Sequence, residues 1–422
     1  MRIRTRALAA TAAVLAVCTA AGCAADRTPE SEAQATSTVS GSDVETVAEV
    51  DVTQLDTGDY PTTPAAPFGE AAPEDRAAVD AQRMAQFVVA PFEVDRELND
   101  PTLPTMVLRG YQQLKGTFDE SVVNVPANTS SWVYGFVTSA TVSAPVERGT
   151  TGRALTQLVM RYTDPTAAAD AARQMGEASA ALDGSTPAIV TAMPDSHAVR
   201  GTQPNGSLTM QAFTAHNDYV VYTWASAPVA EADRLEPTLV KALELQAPLI
   251  DQFPPTPTKS QAQGRHIPIE VDQNDILIYA VPAGKNDPMG DILSGVYGPR
   301  GMSHFYYPPE TVYRALTEHG SVHNAINKTT VFRASTDQDA RELLDTFTSS
   351  SLSGGWAEAA TPPGLPSATC LSKASPSGEQ YQCSVRVGRY IGDAVGLGDQ
   401  TEVHQLISAQ YLILTQADQN AE

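Results

Sequence analysis

The 422-residue sequence contains an internal repeat, and this repeat limits the possible folds more than any other feature. In each copy a β-rich run carrying an arginine, Arg161 or Arg333, leads through a capping Asp, Ser or Thr into a helical stretch. The two arginines are 172 residues apart. A duplicated strand, cap and helix predicts two similar domains, because the whole supersecondary unit repeats.

Each copy continues with a predicted β-hairpin and then a helix. In the first copy, two β-rich runs flank a turn at 217–218, which is a hairpin signal. An offset of 171 residues brings Tyr219 onto Tyr390 in the matching hairpin of the second copy. The closing helices are predicted at roughly 232–246 and 401–416.

A proline-rich segment separates the two copies. Residues 253–264 are polar and contain three prolines without apolar periodicity, which is typical of a linker. We therefore expect a first α+β domain with an N-terminal extension at 55–252 and a second at 265–422, each an antiparallel sheet with helices packed on one face. The tripeptide Val-Tyr-Gly, at 133–135 and 296–298, supports this division.

The start of the chain has the pattern of an export signal. Three arginines within residues 2–6 precede an apolar run at 7–17, which as a helix spans only about 16 Å of a hydrocarbon core of about 30 Å. Small residues then precede Cys23, and this stretch resembles the bacterial lipobox. We expect a lipoprotein signal peptide at 1–22 and lipidation of Cys23; an ordinary secretory signal is the alternative.

Residues 23–54 are expected to form a lipidated, disordered tether. After Cys23 they are rich in Ala, Ser, Thr and acidic residues and show no apolar periodicity. The sequence thus places the protein outside the cytoplasm, lipid-anchored to the outer face of the cell membrane. An amphipathic helix is predicted downstream at 74–88.

Two cysteines remain after the signal and the anchor, Cys370 and Cys383. In an oxidising compartment such a pair is expected to form a disulfide, and closing a loop of about 14 residues contributes roughly 3 kcal/mol in the chain-entropy model. The repeat offset places Val199 and Ala212 opposite these cysteines. We therefore expect apolar packing in the first copy where the second copy has the disulfide.

The chain is strongly acidic, with 27 basic against 49 acidic residues and a formal net charge of −22. Removal of the three signal arginines makes the charge about −25. Such a field repels nucleic acid and anionic surfaces, so neither is expected as a partner. The charge is explained by solubility or by a basic partner.

No catalytic motif is present: the sequence lacks HExxH, GxSxG and a P-loop. The spacing of His319 and His323 suits metal binding on a helix, but no third ligand is evident, and a solvated helix end is the alternative. Asp272, Asn274 and Asp275 offer oxygen ligands without the EF-hand pattern, so a capped turn is the alternative. No catalytic residue, metal site or cofactor is predicted.

Aromatic residues cluster near the copy boundaries, and they could line a cleft or belong to the core. They are Trp132, Tyr134, Phe305, Tyr306 and Tyr307. The Ser-His pairs at 196–197 and 303–304 lack an identifiable acid partner, and adjacency in sequence is no sign of a triad.

Several short segments are similar to one known family. The segments Leu55–Pro61, Ala90–Asp95, Gly295–Pro299 and Ala409–Tyr411 resemble uncharacterised two-domain lipoproteins of mycolic-acid-producing actinobacteria. The resemblance implies an envelope lipoprotein and no catalytic residue. The arrangement of the copies is also loosely similar to extracellular sensor domains of actinobacterial receptor kinases, which is an analogy of fold alone.

Three functions are compatible with these features. The first is a non-enzymatic envelope protein that binds a ligand or a partner protein in a cleft between its domains. The second is a hydrolase or transferase acting on cell-wall material, which requires a pocket with a perturbed titratable pair. The third is a structural spacer.

Overall fold

The structure, a computed structural model, describes residues 49–142, 152–284 and 293–421. The predicted signal peptide, Cys23 and nearly all of the predicted tether lie outside the described residues. No helix in the described part of the chain is both long enough and apolar enough to span a membrane.

The first domain is built on a seven-stranded antiparallel sheet. Its strands are β1 (Asp100–Leu108), β2 (Trp132–Thr141), β3 (Ala154–Tyr162), β4 (Thr186–Ala188), β5 (Ser196–Thr202), β6 (Leu208–His216) and β7 (Tyr219–Ala227). Their spatial order is β1-β2-β3-β7-β6-β5-β4. The predicted hairpin joins β6 to β7, and Asn217 in its turn has a positive φ of 50°.

The second domain repeats this sheet. Its strands are β8 (Gly295–Tyr297), β9 (Asn324–Ile326), β10 (Thr330–Arg333), β11 (Ala357–Glu358), β12 (Thr369–Ser375), β13 (Gly378–Val387) and β14 (Tyr390–Leu397). Their order is β8-β9-β10-β14-β13-β12-β11, which is the order of the first sheet strand for strand. The prediction of two similar α+β domains with antiparallel sheets is confirmed.

Cross-strand register supports most of the repeat. Arg161 pairs with Tyr219, and Arg333 pairs with Tyr390, so the two copies align at this point. The tripeptide Val-Tyr-Gly was a misleading marker, because its first occurrence lies on β2 and its second begins on β8. The counterpart of β8 in the first sheet is β1, so these tyrosines occupy different strands of the fold.

In the first sheet, the strand pair that corresponds to the disulfide differs from the expected pairing by one residue. Cys370 pairs with Cys383, and the two form a disulfide with 4.1 Å between their Cα atoms. In the first sheet Ala198 pairs with Ala212, whereas Val199 pairs with Gln211. The apolar packing predicted there is present, but its partner on β5 is Ala198, because the offset between β5 and β12 is one residue longer than assumed.

Nine α-helices are described. They are α1 (Arg76–Ala85), α2 (Pro91–Val94), α3 (Glu120–Ala127), α4 (Pro165–Ala180), α5 (Leu235–Ile250), α6 (Pro299–Ser303), α7 (Pro309–Glu318), α8 (Asp337–Ser353) and α9 (Gln400–Leu414). Short 3₁₀ helices lie at Val52–Gln54, Tyr111–Gly116, Val229–Arg234, Gln273–Asp275 and Leu277–Tyr279. The predicted caps are present: the side chain of Asp164 accepts from the Ala167 amide at 3.0 Å, and that of Thr336 accepts from the Asp339 amide at 3.0 Å.

Helices cover both faces of each sheet, whereas the sequence suggested one face. On β3, Leu155 packs with the core beneath α5, while Leu158 and Met160 pack with the core beneath α4. On β10, Val331 belongs to the core with α9, and the adjacent Phe332 belongs to the core with α8. Strands that are buried on both faces do not alternate between apolar and polar residues. The sequence therefore contains no alternating pattern that separates a buried face from a solvent-exposed face.

The two domains share one hydrophobic core. Met84 and Ala85 of α1 pack in a single cluster with Phe136 of the first sheet and with Phe332 and Ile391 of the second. The predicted amphipathic helix at 74–88 is therefore α1, and it lies between the sheets. The expected cleft between the domains is thus largely filled by apolar side chains.

Two extended segments join the domains further. The segment 49–66, which we call the strap, binds the second domain: the Asp51 amide donates to the Gly364 carbonyl at 2.9 Å, and the Tyr60 hydroxyl donates to Glu402 at 3.0 Å. It begins inside the predicted tether. The segment 253–276, which we call the connector, has the composition of a linker, yet Phe253 is 4% exposed and packs in the shared core.

Candidate functional site

A large cavity lies between the first domain and the connector. It encloses about 1040 Å³ and is bordered by α1, by the adjoining ends of β2 and β3, and by residues 256–269. Most of its lining is apolar. Its volume matches that of small-molecule sites, which typically enclose roughly 300 to 1,000 Å³ and combine an apolar lining with a few polar groups.

A buried arginine lines this cavity. Arg161, at the end of β3, is 1% exposed, and its Nη1 donates to the Tyr134 hydroxyl at 2.9 Å and to the Thr256 carbonyl at 2.7 Å. Nη2 donates to Oε1 of Gln261 at 3.3 Å. The guanidinium also lies over the Tyr134 ring, 5.6 Å from its centroid, a favourable cation–π position. Arg161 thereby holds the connector against the first sheet.

One nitrogen of this arginine has no hydrogen-bond partner in the part of the chain that the structure describes. The Nε–H of Arg161 has no hydrogen-bond acceptor within the described residues, and no carboxylate of that part of the chain lies within 4.0 Å of the guanidinium. The indole N–H of Trp132, which also lines the cavity, lacks an acceptor there as well. Buried donors without acceptors are uncommon in native proteins, and these two lie at the same edge of the cavity.

Asp80 on α1 is the nearby carboxylate, and it is already engaged. It is 3% exposed, accepts from Nη1 of Arg83 at 2.7 Å and accepts from the Thr256 hydroxyl at 2.8 Å. Burial, together with the charge of Asp80, raises the pKa of Tyr134 well above its usual value. The Tyr134 hydroxyl therefore keeps its proton, and this proton is available to an acceptor because its oxygen already accepts from Arg161.

Further charged groups stand around the cavity. Lys259 and Arg265, both exposed, make no ion pair with any described carboxylate. Glu70 pairs with Nη1 of Arg76 at 3.0 Å and with the ring of His266 at 2.8 Å. Four cationic side chains thus line the cavity against two carboxylates.

The aromatic residues noted in the sequence separate into two groups. Trp132 and Tyr134 line the cavity. Phe305 packs against Phe136 and Tyr297 in the shared core, and the Tyr306 hydroxyl bonds that of Thr330 at 2.8 Å. Tyr307 is exposed on the surface. Only the first two therefore belong to the candidate site.

The two histidines considered as metal ligands, His319 and His323, have different neighbours. The His319 ring faces Asp339 at 3.4 Å, while His323 faces Asn274 at 3.1 Å. Asp272 accepts from the backbone amides of Ile276, Leu277 and Ile278 at 2.7 to 2.9 Å, as the capped-turn interpretation predicted. Burial raises the pKa of Asp272 despite these bonds.

The remaining candidates have structural partners. His304 is buried against Thr138 and the Ala85 carbonyl, each at 3.1 Å, and Ser303 donates to the Arg300 carbonyl. Ser196 bonds Thr214. Within the described residues, no serine, threonine or cysteine that lines the cavity bonds a histidine, and the ring of His266 bonds Glu70 instead.

A cysteine-histidine cluster and a second cavity lie outside this site. Cys370, Cys383 and His404 offer ligand atoms within 4.8 Å of one another, but the two sulfur atoms are joined in the disulfide. A smaller cavity of about 390 Å³ lies between the domains beside α1, and it includes Gly284, the last residue before an undescribed segment.

Sequence reasoning used Arg161 only to mark the repeat and missed it as a site residue. The usable signal was an arginine in an otherwise apolar strand, which must be paired or must face a polar cavity once it is buried. Residues 256–269 gave no such signal, because their composition indicated a linker.

Comparisons with known proteins match the chain to two domains of one family. A family described as "Domain of unknown function (DUF7373) N-terminal" matches residues 68–265, and "Domain of unknown function (DUF7373) C-terminal" matches residues 277–417. Among solved structures, the extracellular domain of PknH from Mycobacterium tuberculosis is 15% identical with a TM-score of 0.27, covering 42% of this chain and 97% of that chain. The search among curated proteins gave no match.

Proposed function

Because the chain carries both domains of the uncharacterised DUF7373 family and belongs to it, we propose that it is an exported, lipid-anchored envelope protein that binds a ligand. The ligand site is the cavity between the first domain and the connector. This location replaces the cleft between the two domains that the sequence suggested, because the shared core fills most of that space.

The observation that carries the proposal is the buried arginine in a cavity of ligand size. Arg161 is held in position by Tyr134, Thr256 and Gln261 while its Nε–H lacks an acceptor. A rigid polar group within an apolar lining is the usual construction of a binding site.

Native mass spectrometry of the full chain purified from its own envelope tests this proposal. We expect a reproducible adduct that the Ala77→Trp variant loses, because Ala77 lines the cavity and a large side chain there fills it. Ala181→Trp is the matched control, since Ala181 is exposed at the end of α4 and is not among the residues that line the cavity. An adduct retained equally by both variants would place the ligand elsewhere.

The anchor is tested separately at Cys23. We expect the chain to sediment with membranes and Cys23→Ala to release it into the soluble fraction, because a lipidated cysteine supplies the hydrophobic attachment. Cys18→Ala is the control, and it should remain with membranes. Equal fractionation of both variants would contradict lipidation at Cys23.

A further inference from the structure

The chemical class of the ligand can be inferred from the lining of the cavity, and this inference rests on the proposed function. We propose that the cavity binds an anionic amphiphile, a molecule with a carboxylate or phosphate group and an apolar body. Three properties of the site support this class: its charge, its buried donors and its apolar walls.

The charge of the cavity opposes that of the whole chain. The formal net charge is −22, yet the lining contains Arg76, Arg161, Lys259 and Arg265 against only Glu70 and Asp80. Both carboxylates are already bound to arginines, Glu70 to Arg76 and Asp80 to Arg83. The charges of Arg161, Lys259 and Arg265 are therefore left to attract an anion.

Arg161 needs a counter-charge more than the exposed cations do. A buried guanidinium that pairs with no carboxylate is costly, since neutral acceptors and an aromatic ring replace only part of its hydration. Its existing acceptors are a hydroxyl, a carbonyl and an amide oxygen. An anionic group in the cavity would accept a hydrogen bond from the Tyr134 hydroxyl beside the guanidinium, and bonds to an ionised group are the strong ones.

The apolar residues that line the cavity indicate a ligand with an apolar part as well as an anionic group. Ala71, Ala77, Trp132, Val133, Ile267 and Ile269 line the cavity. With about 1040 Å³ available, an inorganic phosphate would leave most of this apolar surface wet. An aliphatic or aromatic body would bury it, and each methylene buried contributes about 0.8 kcal/mol.

Titration calorimetry with matched probes tests the ligand class. The full chain is reconstituted in lipid nanodiscs, with empty nanodiscs as the blank, and is titrated with octanoate, octyl phosphate, octanol and inorganic phosphate. We expect the two anionic amphiphiles to bind at least about tenfold more tightly than octanol or inorganic phosphate, because only they use both parts of the site. Their binding should weaken with added salt.

Exposed cations give variants that leave the core unchanged. Lys259→Ala and Arg265→Ala should each weaken octanoate binding several-fold, whereas Lys115→Ala, an exposed lysine away from the cavity, should not. Arg161→Lys keeps the positive charge but removes the planar set of guanidinium donors. We expect this variant to bind octanoate at least tenfold more weakly. Thermal melting shows whether this last variant remains folded.

The source of the anion is distinguished in the same system. Native mass spectrometry of protein ejected from nanodiscs containing phosphatidylglycerol and phosphatidylcholine would show retained phosphatidylglycerol if the ligand is a membrane lipid. Octanoate binding without retained phospholipid would indicate a soluble amphiphilic acid. Either result supports the inference.

Two results would overturn it, and they are distinguishable. Octanol binding as tightly as octanoate, with no effect of Lys259→Ala, would refute the anionic class and leave the ligand-binding proposal intact. Absence of binding for all four probes, together with a clean mass of the protein from its own envelope, would refute both proposals.

Discussion

At the scale of single residues, two equivalent arginines hold opposite ends of one segment. Arg161 donates to the carbonyl of Thr256, and Nη1 of Arg333 donates to the carbonyl of Asn274 at 2.9 Å. Both acceptors belong to the connector. The repeated residue therefore has a role beyond its own domain, because each copy uses it to fix the chain that joins the two copies.

Buried His304 should make stability depend on pH. Burial lowers its pKa to about 3, below the ordinary value of about 6.5. Between these two pH values the unfolded chain binds a proton at His304 and the folded chain does not. The free energy of unfolding therefore falls as pH drops from about 6.5 toward 3, by at most about 1.4 kcal/mol per pH unit. Urea denaturation between pH 7 and 5 should show this slope, and His304→Gln should reduce it.

His266→Gln is the control for that measurement, since the His266 side chain is 70% exposed and lies outside the core. We expect this exposed substitution to change the slope less than His304→Gln does, because it removes no buried ring. Identical slopes for His304→Gln and the unmodified chain would show that His304 is not the responsible group.

The pairing of Ala198 with Ala212 predicts where a second disulfide fits. The double variant Ala198→Cys, Ala212→Cys should oxidise as Cys370 and Cys383 do, because both pairs are directly opposed across equivalent strands. It should raise the free energy of unfolding by up to about 3 kcal/mol. Thiol alkylation and urea denaturation measure the two effects. Val199→Cys with Ala212→Cys is the offset control and should remain reduced.

At the scale of elements, α1 packs tightly against the start of the second domain. An added methyl carbon on Gly298 would lie 2.4 Å from Oε1 of Gln86, which accepts from the amides of Arg300 and Gly301 at 2.9 and 3.2 Å. Gly298→Ala should therefore lower the free energy of unfolding by about 1 to 3 kcal/mol. Chemical denaturation measures the loss.

Two further variants identify the cause of that loss. Gly110→Ala has open space around the new methyl group, and we expect little change. In the double variant Gly298→Ala, Gln86→Ala the clash is removed, so its cost should be smaller than the sum of the single variants. If the free-energy losses of the two single variants simply add in the double variant, the clash with Gln86 is not the cause of the Gly298→Ala loss.

Local patterns predicted the elements but not their neighbours. The caps at Asp164 and Thr336 and the turn at Asn217 are set by residues within a few positions, and sequence alone identified them. The strap depends on Tyr60 meeting Glu402, 342 residues away, and the cavity depends on Arg161 meeting Thr256, 95 residues away. Contacts of such separation leave no periodic or compositional signal.

At the scale of the whole molecule, the shared core should make the two domains unfold together. Apolar side chains from both sheets and from α1 form one cluster, so neither domain can expose its part without disrupting the other. Differential scanning calorimetry of the full chain should give one transition whose calorimetric and van't Hoff enthalpies agree. Two resolved peaks would show that the domains unfold independently.

The strap also decides how the molecule would carry mechanical load. It is bonded to the second domain through Asp51, Asp56, Tyr60 and Thr62, although the first domain follows it in the chain. With the proposed anchor at Cys23, a pull from the membrane would reach these bonds first. The second domain would bear the tension in shear, and the first domain, with its cavity, would stay unstrained until the strap detached.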